Sequence, residues 1–156
     1  MVSLDTLGDD SVTFIRDVLR QNLTDKQTPK RSGSAWIFKS RLATKEVDLP
    51  YVIITEDRET GSTLTIDPAN PKMGIPTIRL AIHVWSHKIN YRDEISDEIV
   101  KILKSTTSAN SSGVTIRQNR FVFKRFEKYE EDAQIPGFPE ITRSKRVMIE
   151  FKYIGG

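Results

Sequence analysis

The clearest pattern in the chain runs from Thr77 to Leu103. Ile78, Leu80, Ile82 and Val84 take every second position, with Arg79, Ala81, His83 and Trp85 between them. That spacing predicts a strand with one apolar face. Past Lys88 the period changes, and Ile95, Ile99, Ile102 and Leu103 follow one helical stripe over Asn90–Leu103. Strand passes to helix within a few residues, so their apolar faces are expected to pack together locally. Asn90 is placed to cap this helix, with Asp93 as the capping-box acid. Lys101 and Lys104 fall near its C-terminus, where positive charge is favoured.

The same reading extends to the rest of the chain. Asp9, Asp10 and Ser11 look like a helix start, and Val12, Ile15, Val18, Leu19 and Leu23 recur at helical spacing. A helix over about 11–23 is predicted. Thr24 to Ser34 is polar, basic and broken by Pro29 and Gly33, which predicts a mobile loop. Residues 35–41 predict a strand. Tyr51–Thr55, apolar on both faces, predicts another, centrally placed. Asp57–Pro76 holds three prolines and two glycines and is read as a long loop, with room for a short hairpin at 62–66. Ser105–Gly113 reads as a linker. Val114–Ile116 and Phe121–Phe126 together read as a strand bulged near Gln118 and Asn119. Glu127–Thr142 reads as a second long loop. Arg146–Ile154 closes the chain as a strand, with Val147, Ile149, Phe151 and Tyr153 on one side and Glu150 and Lys152 on the other.

The order is helix, strand, strand, strand, helix, strand, strand. It predicts a single α+β domain over 1–156: a mixed or antiparallel sheet of about five strands, two helices packed on one face, and long loops. At 156 residues the chain can bury one good core but not two. No run approaches the ~18 apolar residues of a membrane span, so no membrane partner is expected. The N-terminus lacks the basic start and apolar run of a signal peptide, which predicts synthesis in the cytoplasm. The chain has no cysteine, which removes disulfides, thiolate catalysis and Cys-based zinc sites.

Candidate chemistry is thin. His83 and His87 would stand about 13 Å apart on one strand face, too far to share a metal ion. Glu150-Phe-Lys152 matches the Glu-x-Lys half of a metal-dependent nuclease, but no second acid is placed to complete it, and a solvated charge pair explains it as well. Glu56 and Asp57 begin a loop, where acids are common. No phosphate-binding glycine loop precedes either helix, and no Gly-x-Ser-x-Gly elbow is present. Trp36, Trp85, Phe121, Phe123 and Phe126 could stack on bases, though strand aromatics more often fill a core. The net charge of +3 is mild, and its densest basic runs are Lys26–Arg31 and Arg143–Arg146. Both are short, and solvated loops and strand ends account for them. No catalytic residue, metal or cofactor is expected.

Several segments taken in order carry a family resemblance. They are Ile53-Ile-Thr-Glu-Asp57, the loop to Pro76, the strand through Ile82-His-Val-Trp-Ser86, the helix start Tyr91-Arg-Asp-Glu-Ile95 and the closing Phe151-Lys-Tyr-Ile154. Together they resemble the tail-completion, or tail-terminator, proteins of tailed viruses, also called tail-to-head joining proteins. The likeness spans nearly the whole chain and is one of element order and texture. It implies a non-enzymatic virion protein, made in the host cytoplasm and located in the tail or neck. Its subunits would form a ring, commonly a hexamer, that ends the tail tube and meets the head connector. Implied partners are other copies of the chain, the tail-tube protein, the connector, and DNA passing through the lumen without specific binding. Leu64, Ile66, Met73 and Ile75 in the first long loop have no obvious place in the core, and they are candidate interface residues. Ile135 and Phe138 in the second loop join them. The alternatives are a nucleic-acid-binding module using the two basic runs, or a metal-dependent nuclease using Glu150 and Lys152.

Overall fold

The computed structural model describes residues 7–25, 36–39, 50–60, 77–86, 88–134 and 141–153. Helix α1 spans Leu7–Asn22, strand β1 Ile37–Phe38, β2 Tyr51–Thr60 and β3 Thr77–Ser86. Helix α2 spans Ile89–Lys104, followed by β4 at Phe121–Gln134 and β5 at Ile141–Tyr153. The strands form one mixed sheet in the order β1-β2-β3-β5-β4. Only β1 and β2 run parallel, and every other pair is antiparallel. This is the predicted α+β arrangement, with the predicted element order.

The alternation on β3 sets the layering. Ile78, Leu80, Ile82 and Val84 are fully buried, and their cross-strand neighbours Val52, Ile54, Val147, Ile149 and Phe151 continue the same face. Both helices cover it. From α1 come Val12, Phe14, Ile15, Val18 and Leu19, and from α2 Ile95, Ile99, Val100 and Leu103. Phe14 reaches Phe121 at 5.8 Å, and Phe121 stacks tilted on Phe151 and Tyr153 at 5.8 and 5.6 Å. Gly8, in the first turn of α1, faces the carboxylate end of the Glu56 side chain on β2. That contact sets a carboxylate near the positive end of the helix.

Helix starts differ from the pattern reading. Helix α1 begins at Leu7, so Asp9 and Asp10 lie in its first turn. The Ser11 hydroxyl donates to the Leu7 carbonyl one turn back rather than capping free amides. At α2 the cap position is Lys88, with no side-chain cap. Asn90 lies inside the helix, so the predicted capping box does not form. The Ser86 hydroxyl instead accepts from the Lys88 amide. Lys101 and Lys104 do occupy the last turn.

Strand ends differ more. Described β1 is two residues, not seven. Strand β2 continues to Thr60 through a bulge between Glu56 and Arg58, so Asp57–Thr60 is strand rather than loop. It lies between β1 and β3, while the central strand is β3. Glu127–Thr142 is not one long loop, because β4 runs on to Gln134 and β5 starts at Ile141. The polar half of that hairpin is held by its ladder and by ion pairs, which leave no apolar alternation to read. The bulge in β4 lies between Phe123 and Arg125, not at Gln118 and Asn119.

Val114–Ile116 is not a strand either. Apart from one bridge between Ala109 and Thr115, residues 105–120 form a hydrogen-bonded turn. The Thr115 amide donates to the Gln118 side chain at 2.9 Å, and the Gln118 amide donates to the Thr115 hydroxyl at 3.0 Å. This is a capping box on a single turn. The turn closes with Phe121 N–H on the Ile116 carbonyl and Arg120 N–H on that of Arg117, the bond pair of a Schellman motif. Its left-handed residue is Arg120, at φ 62°. Glycine is the residue that suits this position, so Arg120→Gly is expected to raise stability by about 1 kcal/mol. Urea unfolding measures it, and a loss of stability would show that the arginine side chain contributes to the fold.

Candidate functional site

The helices cover one face of the sheet; the other buries Tyr51, Ile53, Ala81 and Met148 and, toward β4, carries a lattice of charge. Cross-strand pairing places Arg79 beside Glu150, and Glu150 beside Arg125. The bulge after Phe123 brings two successive cations, Lys124 and Arg125, onto Glu150. Lys124 Nζ donates to Oε1 at 3.0 Å and Arg125 Nε to Oε2 at 2.6 Å. Arg79 pairs with Asp57 at 3.3 Å and Glu127 at 3.4 Å. The Tyr129 hydroxyl donates to Glu127, and the Arg146 guanidinium lies 6.0 Å from the Tyr129 ring.

Glu150 is 7% exposed, so it is not the solvated strand-face residue of the sequence reading. Burial pushes its carboxyl up; the hydrogen bonds and charges of Lys124 and Arg125 outweigh that and hold it below the usual carboxylate range. The Tyr129 hydroxyl is raised, first by its bond to Glu127. Both Glu150 oxygens are taken by cations, and its two cross-strand neighbours are arginines. That arrangement does not fit the metal-binding acid of a nuclease, which needs a second carboxylate beside it. Among the described residues, no group of three or more His, Asp or Glu could hold a metal ion. Glu150→Gln and Lys152→Met are accordingly expected to leave the fold intact. The first should cost about 1 kcal/mol, because both cations it releases are exposed and rehydrate. Mg²⁺- or Mn²⁺-dependent DNA cleavage that both variants abolish would overturn this.

A second network ties the hairpin to α2. Arg92, 3% exposed, pairs with Asp93 at 3.0 Å and Glu130 at 3.3 Å. Lys145 meets the same two carboxylates at 3.1 and 3.7 Å. Lys128 pairs with Asp97. One of the predicted basic runs is thus split by strand alternation: Lys145 is neutralised on the helix side, and Arg146 faces the open side. The other, Lys26–Arg31, lies outside the described residues.

The candidate interface residues Leu64, Ile66, Met73, Ile75, Ile135 and Phe138 also lie outside them, as does His87. The aromatic residues are described and belong to the core. Trp36 and Phe121 are buried, and Trp85, Phe123 and Phe126 pack against them partly covered. Strand β4 ends the sheet, with Val122 and Tyr129 exposed on its open face. Sequence reading missed this edge, because it ended the strand at Phe126 and put the rest in a loop. Among the described residues no helix is long and apolar enough to cross a membrane. No protein-family model matches the chain, and no curated protein matches it in sequence.

Proposed function

We propose that the chain is a structural protein of a tailed-virus particle, forming a ring that ends the tail tube and joins it to the head connector. The reading rests on the order of elements and its resemblance to tail-completion proteins. The observation that supports it best is the helix-free sheet face. Its carboxylates are paired within the subunit: the Lys124–Arg125–Glu150 group keeps one positive charge and the Asp57–Arg79–Glu127 group one negative charge, so the two offset one another. The middle of that face, around Arg79 and Glu150, is thus polar with its charge balanced, as suits a surface beside passing DNA. Strand β4, at the end of the sheet, offers an edge to a neighbouring copy.

Neither the two basic runs nor the Glu150–Lys152 pair, on which the alternatives rest, gains a comparable observation. Lys145 in the Arg143–Arg146 run is neutralised by Asp93 and Glu130, and Glu150 does not fit a metal ligand. In a virus encoding this chain, loss of the gene is expected to give tails of abnormal length that fail to join heads. Normal tails joined to heads would contradict the proposal. A finer test replaces Asp67–Gly74 with a short Gly-Ser linker. Thermal stability should hold while ring formation or tail attachment weakens. A shortened protein that caps tails normally would move the interface to 135–140.

A further inference from the structure

Positive charge is concentrated where β4 begins. From Ile99 to Phe126 the chain contains no Asp or Glu but carries Lys101, Lys104, Arg117, Arg120, Lys124 and Arg125. All six are exposed. The fold brings them around one end of the sheet. Lys101 and Lys104 lie in the last turn of α2, and Arg117 and Arg120 on the hydrogen-bonded turn that leads directly into Phe121. Lys124 and Arg125 follow on the open face, where exposed Lys152 stands across from Val122.

The neutralisation is one-sided. Lys124 and Arg125 share the single carboxylate of Glu150. Lys104 lies over the rings of Phe126 and Phe123 at 4.3 and 5.8 Å, and Lys101, Lys104, Arg117, Arg120 and Lys152 form no ion pair among the described residues. Removing these seven cations and Glu150 from the chain's 24 basic and 21 acidic residues leaves 17 basic and 20 acidic. The rest of the protein is therefore net acidic, and its mild overall charge conceals a polarised one. Arg120 sharpens the point. It holds a left-handed backbone position that glycine would occupy at lower cost, as expected where a side chain serves something other than stability.

We infer that this collar binds the phosphodiester backbone of nucleic acid, duplex DNA in the first place, without reading sequence. Its cations lie on α2, the turn, β4 and β5, spread around one end of the sheet rather than gathered into a pocket. Three of them are arginines, whose planar forks match phosphate oxygens. The adjoining turn adds exposed hydroxyls at Ser105, Thr106, Thr107, Ser111 and Ser112, which suit the same oxygens. A membrane surface would call for large apolar side chains among the cations, and the collar exposes only Val114 and Val122. The inference stands apart from the ring proposal. A monomer that binds DNA through the collar supports it, and a ring that ignores DNA overturns it.

The test is fluorescence anisotropy of a labelled duplex of about 20 base pairs, titrated with the full chain from ~50 to ~200 mM salt. Binding should weaken steeply with salt, with a log–log slope of about −3 or steeper, since each phosphate contact contributes about −0.9. The triple variant Lys101→Gln, Arg117→Gln, Arg120→Gly removes three cations that make no ion pair among the described residues and relieves the left-handed strain, so it is expected to fold. Its affinity should fall at least tenfold, with a slope shallower by up to about 2.7 units. A control with equal charge loss, Arg16→Gln, Lys39→Gln, Lys88→Gln, should stay within about twofold of the parent. Equal weakening by both variants, or no binding at the lowest salt, would overturn the inference. So would tighter binding to mixed phosphatidylserine–phosphatidylcholine vesicles than to DNA, if the collar triple variant abolished it.

Discussion

Phe121→Ala is expected to cost about 3–5 kcal/mol, the largest effect of any single truncation considered. Phe121 is 2% exposed and joins α1 to β5 within the core. Its ring meets Phe14 of α1 and both Phe151 and Tyr153 of β5, and its amide closes the turn onto Ile116. Truncation would leave a cavity walled by three aromatic rings, whose edges and faces cannot close over it without leaving their rotamers. The turn would also lose the apolar contact that accompanies its Schellman bond. Urea unfolding should show a lower midpoint at unchanged m-value. A loss under about 1 kcal/mol would mean that the cluster repacks around the gap.

The second large effect is expected at the junction of α2 with the hairpin. In the double variant Asp93→Asn, Glu130→Gln, Arg92 and Lys145 remain, both mostly buried, with no carboxylate between them. Stranded buried charge is among the most destabilising of changes. The two acids are themselves partly exposed, so water can follow, and the expected cost is about 2–3 kcal/mol, below the usual range for a fully buried pair. The pH dependence has a definite sign. Burial raises the Asp93 carboxyl, but hydrogen bonds and charges from Lys145 and Arg92 prevail and hold it below its ordinary range. A carboxyl more acidic in the folded state stabilises above its unfolded value, near about 4, and that contribution is lost as pH falls through the folded value. Glu150 acts in the same direction. Thermal unfolding of the parent should therefore weaken on acidification from about pH 5 downwards, and the double variant should show a flatter acid branch. Parallel curves would show that the network is not what acid breaks.

Both junctions show where sequence patterning stops. Strand β3 and the body of α2 were legible because a single face is buried and the period is clean: Ile78, Leu80, Ile82 and Val84 need no tertiary partner to be recognised. The distal half of β4 was not. Glu127, Lys128, Tyr129 and Glu130 alternate between faces that are both polar, so cross-strand ion pairs replace the apolar signal. Helix starts slipped for a related reason. Asp9, Asp10 and Asn90 suit a cap or a first turn equally, and backbone partners decide between them. Thr115 and Gln118 did carry a readable signature, the Thr-x-x-Gln of a capping box. The basic collar was readable too, as 28 residues with six cations and no acid. It was missed because its cations are spaced one to thirteen apart and only the fold gathers them.

Assembly is the property on which the ring reading stands or falls. Sedimentation equilibrium over a wide range of concentration, with and without tail-tube protein from the same virus, measures it directly. A closed species of about six times the 17.8 kDa subunit mass, or a monomer in equilibrium with it, is the expected result. A strict monomer at every concentration, with tail-tube protein present, would contradict it.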